Sequence, residues 1–348
     1  MIDPALVMLL LGAATASAVL ARWVSLHGSI LNLSRDPNHR SMHMGRIAHG
    51  GGVGVVVAGT LAGLALVLCC DRSMAAPVIL ALTLGATGFA DDVWHLTRRI
   101  RLVIQIGATL ALIFIYSPLA DPFGPGVTPA VLTAAAVLFA TVWWINLFNF
   151  MDGIDGLAAT EGIFIITVAA AAIGASAGIS ALGGMVPWML AVASATAGFL
   201  VYNWPPARVF MGDTSSLYLP FVILVAALAT TSSGILTYPF WVILAATFIA
   251  DATVTLVVRI ATGQKWADSH RTHAYQKLAL AFGSHLPTLL IYNAANLIWL
   301  TPLALIALAW PQYGWMMVII AYLPLVLFAI GMRAGKMEEA VPAYSEEN

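Results

Sequence analysis

The sequence predicts an all-α fold, a polytopic membrane bundle of about eleven transmembrane helices, and three observations point there. Of its 348 residues 61% are hydrophobic and 9% charged, with a mean hydropathy of +0.91, more apolar surface than a soluble domain can bury. Apolar runs of about twenty residues, the length that spans a bilayer, recur along the chain with no internal repeat and no linker between domains. The basic residues fall almost wholly into alternate connections.

The runs lie near residues 4–26, 51–70, 76–93, 102–119, 127–148, 157–174, 186–203, 215–233, 238–259, 287–309 and 313–332. The first has no basic residue before it and no small-residue cleavage site, so it reads as a retained span. Cys69 and Cys70 are adjacent inside an apolar run, which offers neither a disulfide framework nor metal spacing. With the N-terminus outside, one face collects Arg22, Arg35, Arg40, Arg46, Arg98, Arg99, Arg101, Arg208, Arg259, Lys265, Arg271, Lys277, Arg333 and Lys336, and only Arg72 falls on the other. That split predicts a cytoplasmic C-terminus. All eight histidines lie on the same inner face, so the chemistry is expected there, in one domain spanning 1–348, within segments 27–50, 91–101, 149–156, 203–215 and 259–286.

The stretch N-F-M-D-G-I-D-G-L-A-A-T-E-G, residues 149–162, lies between two apolar runs. Asp152 and Asp155 thus sit at membrane ends, where an unpartnered carboxylate costs roughly 2.5–3.5 kcal/mol. The first inner loop, from Ser34 to Gly54, joins Arg40, His43 and further basic groups to a glycine run whose N–H groups can face an anion; an ordinary positive-inside loop explains the arginines but not the clustered His and Gly. Asp91 and Asp92 close the third run as neighbours that repel, a pair suited to a divalent cation or a proton. Interfacial charges balanced by Arg98, Arg99 and Arg101 are the plainer account. After Asn203 and Pro205-Pro206 come Arg208, Phe210 and Asp213, then Thr214, Ser215 and Ser216 as candidate caps of the next helix. Phe210 can stack on a planar ring or anchor at the interface. The last inner loop carries His270, Arg271 and His273, with the two histidines on one face if the region is helical. Asp251 suits a structural partner as well as catalysis. Carboxylates and cations from five inner segments together suit a metal-bound phosphate ester at the membrane surface.

Four motifs carry a resemblance. G-F-A-D-D, N-F-M-D-G-I-D-G-L-A, F-M-G-D-T-S-S and the His-containing last loop, in this order between Asp36 and His285, resemble the polyprenyl-phosphate N-acetylhexosamine-1-phosphate transferases. That family includes the phospho-N-acetylmuramoyl-pentapeptide transferase of peptidoglycan synthesis. S-H-R-T-H-A-Y-Q-K-L and D-P-N-H-R-S look most like the branch that initiates O-antigen or related surface glycans, and the triple-histidine run of the muramoyl branch is absent. The resemblance implies transfer of a sugar-1-phosphate from a UDP-sugar to undecaprenyl phosphate with release of UMP, in a bacterial inner membrane, with the active site facing the cytoplasm. It implies Mg2+, for which Mn2+ can substitute, held by Asp213 with Asp152 and Asp155 in the metal and nucleotide region beside Asn149. Asp91 and Asp92 would orient or deprotonate the lipid phosphate, Asn203 and Phe210 would contact uridine, and His270, Arg271 and His273 would bind the diphosphate or sugar; Arg208, Arg40 and His43 join the substrate-binding set. The lipid bilayer is an expected partner, nucleic acid is not, and a homodimer is compatible with the family.

Two departures fall in the first loops. His95 stands where part of the family has a third acidic residue, and Ala48-His49 where a Pro commonly precedes the glycines. Among competing readings, an intramembrane aspartyl protease needs Gly where Phe210 stands, and a CDP-alcohol phosphatidyltransferase needs Ala-Arg after its Asp-Gly. A flippase or ion-coupled transporter of a lipid-linked sugar would concentrate ionisable groups near mid-bilayer.

Overall fold

Among the described residues each of the apolar runs is helical over most of its length. The computed structural model describes residues 3–27, 34–35, 47–116, 129–265 and 270–337. Its order is α1 (Pro4–His27), β1 (Ser34–Arg35), β2 (Ile47–Ala48), α2 (Val53–Cys69), α3 (Ala75–Trp94), α4 (Arg98–Ile115), α5 (Ala130–Met151), α6 (Leu157–Ala177) and α7 (Met185–Asn203). There follow α8 (Gly212–Ser232), α9 (Tyr238–Leu244), α10 (Ala246–Ala261), α11 (Ala274–Phe282), α12 (His285–Ala294), α13 (Thr301–Ala309) and α14 (Gly314–Gly331). A π-helical turn, Ala295–Leu300, joins α12 to α13.

Among the described residues eight helical stretches are long and apolar enough to cross a membrane, or nine if the bent pair α9 and α10 is one span. α2 is shorter, at 17 residues, and α4 opens on Arg98, Arg99 and Arg101. The run expected to span 238–259 is broken, its two helices meeting at 72°. No Pro or Gly marks the break at Ala245; the first turn of α10 is instead pinned by a hydroxyl, that of Thr247.

α8 is the axis of the bundle: 89% of its membrane-length window is buried, against 17% for α1. Tyr218 and Phe221 of α8 are fully buried, as are Phe148 of α5, Trp188 and Phe199 of α7 and Phe248 of α10. Trp144 of α5 donates its indole N–H to the Pro220 carbonyl of α8 at 3.1 Å. α3 lies along α8 with Gly88 at the crossing, where a Cβ would overlap the Asp213 carbonyl. Only a residue without a side chain lets the two backbones approach that closely.

The first inner loop is tied to the start of α8. β1 and β2 pair antiparallel, Ser34 opposite Ala48 and Arg35 opposite Ile47, and Ala48 bridges Val209 in parallel. Phe210 N–H donates to the Ala48 carbonyl at 2.9 Å, Gly51 N–H to that of Phe210 at 2.9 Å and Gly52 N–H to that of Met211 at 3.1 Å. The Gly51 and Gly52 amides, expected to face an anion, are therefore spent on backbone, and a Cβ on either would strike Val209 or Ser215.

Candidate active site

The site is assembled where α3, α5 and α7 end and α4, α6 and α8 begin. Thr97 caps α4, its hydroxyl accepting from Ile100 N–H, and that first turn presents Arg101. Arg101 Nη1 lies 2.5 Å from Asp91 Oδ2 and 3.1 Å from Asp213 Oδ2, so one guanidinium nitrogen joins the last turn of α3 to the first turn of α8. The other oxygen of Asp213 accepts from Asn149 Nδ2 at 2.7 Å, and the same nitrogen lies 2.7 Å from Ser216 Oγ. Asn149, Asp91 and Asp213, distant in sequence, thus converge on one ion-paired group.

Asp92 faces the other way. Its Oδ1 accepts from Asp213 N–H at 3.0 Å, and its Oδ2 from Thr214 N–H at 3.0 Å and the Thr214 hydroxyl at 2.7 Å. A carboxylate on the first amides of a helix satisfies orphan donors and complements the positive end of the macrodipole. The cap expected from the local Thr and Ser residues therefore comes from a neighbouring helix. Gly212, at φ 72°, lets the chain turn into α8 against Asp92, whose oxygen a Cβ would strike.

Asp155 and Asn203 are held in the same manner. Asp155 is 2% exposed; its Oδ2 accepts from Ala207 N–H at 3.0 Å and lies 3.2 Å from His285 Nδ1. Asn203 accepts from Gly156 N–H at 3.0 Å and donates to the Val209 carbonyl at 2.9 Å. Both shape the 204–210 connection, and Asn203, expected at uridine, has its oxygen and nitrogen committed to backbone. Phe210 at the end of that connection is half-buried, with the His49 ring edge-on at 5.0 Å. Arg208 is exposed, and its backbone N–H donates to the Tyr202 carbonyl.

Asp251 organises the histidine segment. Its Oδ1 accepts from Ala274 N–H at 2.9 Å and lies 3.3 Å from His273 Nδ1; its Oδ2 accepts from Tyr275 N–H at 2.9 Å and from the Tyr292 hydroxyl at 2.6 Å. Residues 270–273 precede α11 and are not helical, yet the His270 and His273 rings stack at 5.0 Å. His270 and Arg271 are half-buried. The Tyr275 hydroxyl donates to the Phe150 carbonyl at 3.0 Å, which ties the segment to Asp152 and its neighbours. Arg40 and His43 lie outside the described residues.

Burial first, then the negative charges of Asp213, Asp92 and Asp155, hold the Asp152 carboxyl well above the ordinary carboxylate range. Around it Arg101 is the cation paired with Asp91 and Asp213. Among the described residues no three His, Cys, Asp or Glu side chains converge as a metal cage. An acid-rich cluster with few protein ligands fits an ion that keeps water and phosphate oxygens in its coordination, as Mg2+ does. The sequence reading gave no site role to Tyr275 or His285, took Ser216 only as a candidate helix cap and took Arg101 only as one of three arginines balancing interfacial charge. Arg101 stood among three basic residues with nothing to single it out except its place in the first turn after a Thr cap.

Residues 74–231, from α3 through α8, match the family described as Glycosyl transferase family 4. Over that region the chain is similar to this family. It is 29% identical over 264 residues to the "Probable undecaprenyl-phosphate N-acetylglucosaminyl 1-phosphate transferase" of Bacillus subtilis, covering 74% of this chain and 72% of that protein. It is 28% identical over 304 residues to a decaprenyl-phosphate N-acetylglucosaminephosphotransferase of Mycobacterium tuberculosis, covering 77% and 74%. A phospho-N-acetylmuramoyl-pentapeptide-transferase of a Mycobacterium species is 35% identical over 216 residues, 51% of this chain and 58% of that one. The matched family region contains Asp91, Asp92, Arg101, Asn149, Asp152, Asp155, Asn203, Phe210 and Asp213, and leaves the histidine segment outside it.

Proposed function

We propose that this chain is a family 4 transferase that moves N-acetylhexosamine-1-phosphate from a UDP-sugar to undecaprenyl phosphate, releasing UMP, as the first membrane step of O-antigen or related surface-glycan synthesis. The observation that carries the reading is Arg101 held between Asp91 and Asp213, a cation among carboxylates at the ends of three helices. Relatives named for polyprenyl-phosphate acceptors support it. The concentration of basic residues in inner connections supports an active site on the cytoplasmic side of a bacterial inner membrane.

In the proposed reaction an oxygen of the lipid phosphate attacks the sugar-bearing phosphorus of the donor, the bond to the bridging oxygen breaks, and UMP leaves with that oxygen. The acceptor is already an anion, so the demands on the protein are alignment and neutralisation of charge. Arg101 and Asp91 would orient the lipid phosphate. Asp92, by clasping the first amides of α8, presents Asp213 and Asn149 to the donor. Phe210 would stack on uracil, with His49 closing its edge. His270, Arg271 and His273, held by Asp251, would receive the donor diphosphate or sugar. Mg2+, or Mn2+ in its place, would be held by Asp213 and Asp152 and would supply charge neutralisation on the pyrophosphate.

Purified protein given Mg2+, undecaprenyl phosphate and a panel of UDP-N-acetylhexosamines should release UMP with at least one donor. Failure with every donor, or sugar flux across vesicles without chemical turnover, would overturn the proposal.

A further inference from the structure

A second polar cluster lies inside the bundle, on α6, α10 and the π-helical turn. Glu161 of α6, Thr247 at the start of α10 and Asn296 in the π-helical turn are 1%, 2% and 1% exposed. Thr247 Oγ1 lies 3.0 Å from Glu161 Oε1 and 3.1 Å from Asn296 Oδ1, and Asn296 Nδ2 lies 2.5 Å from Glu161 Oε2. The three contacts form a closed ring, and each needs one hydrogen.

The donors can be counted. Thr247 has one hydroxyl hydrogen, which serves one of its two contacts. Asn296 donates only through the nitrogen, which serves one contact, because its oxygen faces the other. Exchanging the amide oxygen and nitrogen changes which contact is served, not the number. Two hydrogens for three contacts leave one oxygen pair bare, unless the third hydrogen sits on Glu161. Among the described residues Arg101, His273 and His285 lie against other acids, and no cation is paired with Glu161. A lone carboxylate at this depth is costly, whereas a carboxylic acid with both oxygens bonded is not.

We propose that Glu161 is a neutral carboxylic acid closing a ring with Thr247 and Asn296, and that this ring is a positioning element for the active site. It binds three helical segments at the 72° corner between α9 and α10. Thr247 and Asp251 are four residues apart, hence on one face of α10, and Asp251 clasps the first amides of α11 and the ring of His273. The ring therefore sets where the histidine segment stands. Asn293 adds a second tie, donating to Thr160 Oγ1 at 3.1 Å.

The experiment is infrared difference spectroscopy with steady-state kinetics on the full chain, the kinetic arm resting on the transferase reading above. Near pH 7 the native protein should show a protonated-carboxyl band that is lost in Glu161→Gln and shifted in Thr247→Val. Glu161→Gln supplies the same three hydrogens, so its kcat/KM should stay within about twofold of native. Glu161→Ala and Thr247→Val each lose a buried hydrogen bond and should raise the donor KM by about 5- to 100-fold, with Thr247→Ser restoring it. A carboxylate band in place of the acid band, or a Gln variant as impaired as the Ala variant, overturns the proposal. If the native protein has no transferase activity, the earlier reading fails alone, and the band with the melting temperatures of the Gln and Val variants still decides the ring.

Discussion

Replacing Arg101 by Gln tests the charge balance of the site most directly. The side chain is 26% exposed and its two partners, Asp91 and Asp213, are 9% and 28% exposed, so the pairs are partly screened. Truncating one partner of a desolvated, hydrogen-bonded charge pair costs roughly 2–5 kcal/mol, and partial exposure places this site at about 2–3. At about 1.4 kcal/mol per decade that is a roughly 30- to 150-fold loss in kcat/KM. The same change should tighten apparent Mg2+ affinity, because Asp91 and Asp213 lose the cation that competes for their oxygens. A Mg2+ titration of UMP release therefore reads two opposite movements, lower turnover and a lower half-saturating Mg2+ concentration. Combining Arg101→Gln with Asp91→Asn should cost less than the sum of the single changes, since the two groups share one interaction. Turnover within threefold of native, or strictly additive losses, would refute the assignment of Arg101 as the bridging cation.

Four further outcomes are expected. Asp213→Asn should abolish UMP release while the solubilised protein remains monodisperse by size-exclusion chromatography; near-normal turnover would remove Asp213 from the metal site. Asp92→Ala removes the cap of α8 and should lower stability by about 1–2 kcal/mol, read as a fall in melting temperature before any assay of activity. Phe210→Ala should raise the KM for the UDP-sugar with little change in kcat, and an unchanged KM counts against stacking. Asp152 has a folded pKa raised above the ordinary value of 3.8, so ionisation opposes folding. Without divalent cation, stability should fall as pH rises from 3.8 through the folded pKa; Asp152→Asn or added Mg2+ should flatten that slope in thermal melts.

The helices were legible because each must present an apolar surface, and composition alone states that requirement. The bend between α9 and α10 was not, since no proline or glycine marks it and the bonds that Thr247 and Asp251 make just beyond it go to residues distant in sequence. In the site, the stretch around Asn149 to Asp155 and the run Phe210 to Ser216 stood out as carboxylates beside glycines at membrane ends. What the residues alone could not separate was which acid faces a ligand and which faces backbone. Asp92 and Asp91 are adjacent and alike in sequence, and they point to different tasks because a helix places consecutive side chains about 100° apart. Gly51 and Gly52 read as anion donors for a similar reason: a free amide and a bonded one have the same letter. Arg101 became visible only when α4 and α8 were set side by side.

The three clasping acids share an order in the chain. Asp92, Asp155 and Asp251 each come before the amides they receive, those of residues 213–214, 207 and 274–275. Each acid is therefore synthesised about twenty to a hundred and twenty residues ahead of the amides that will satisfy it, so these three joints close only after the later segment has been made.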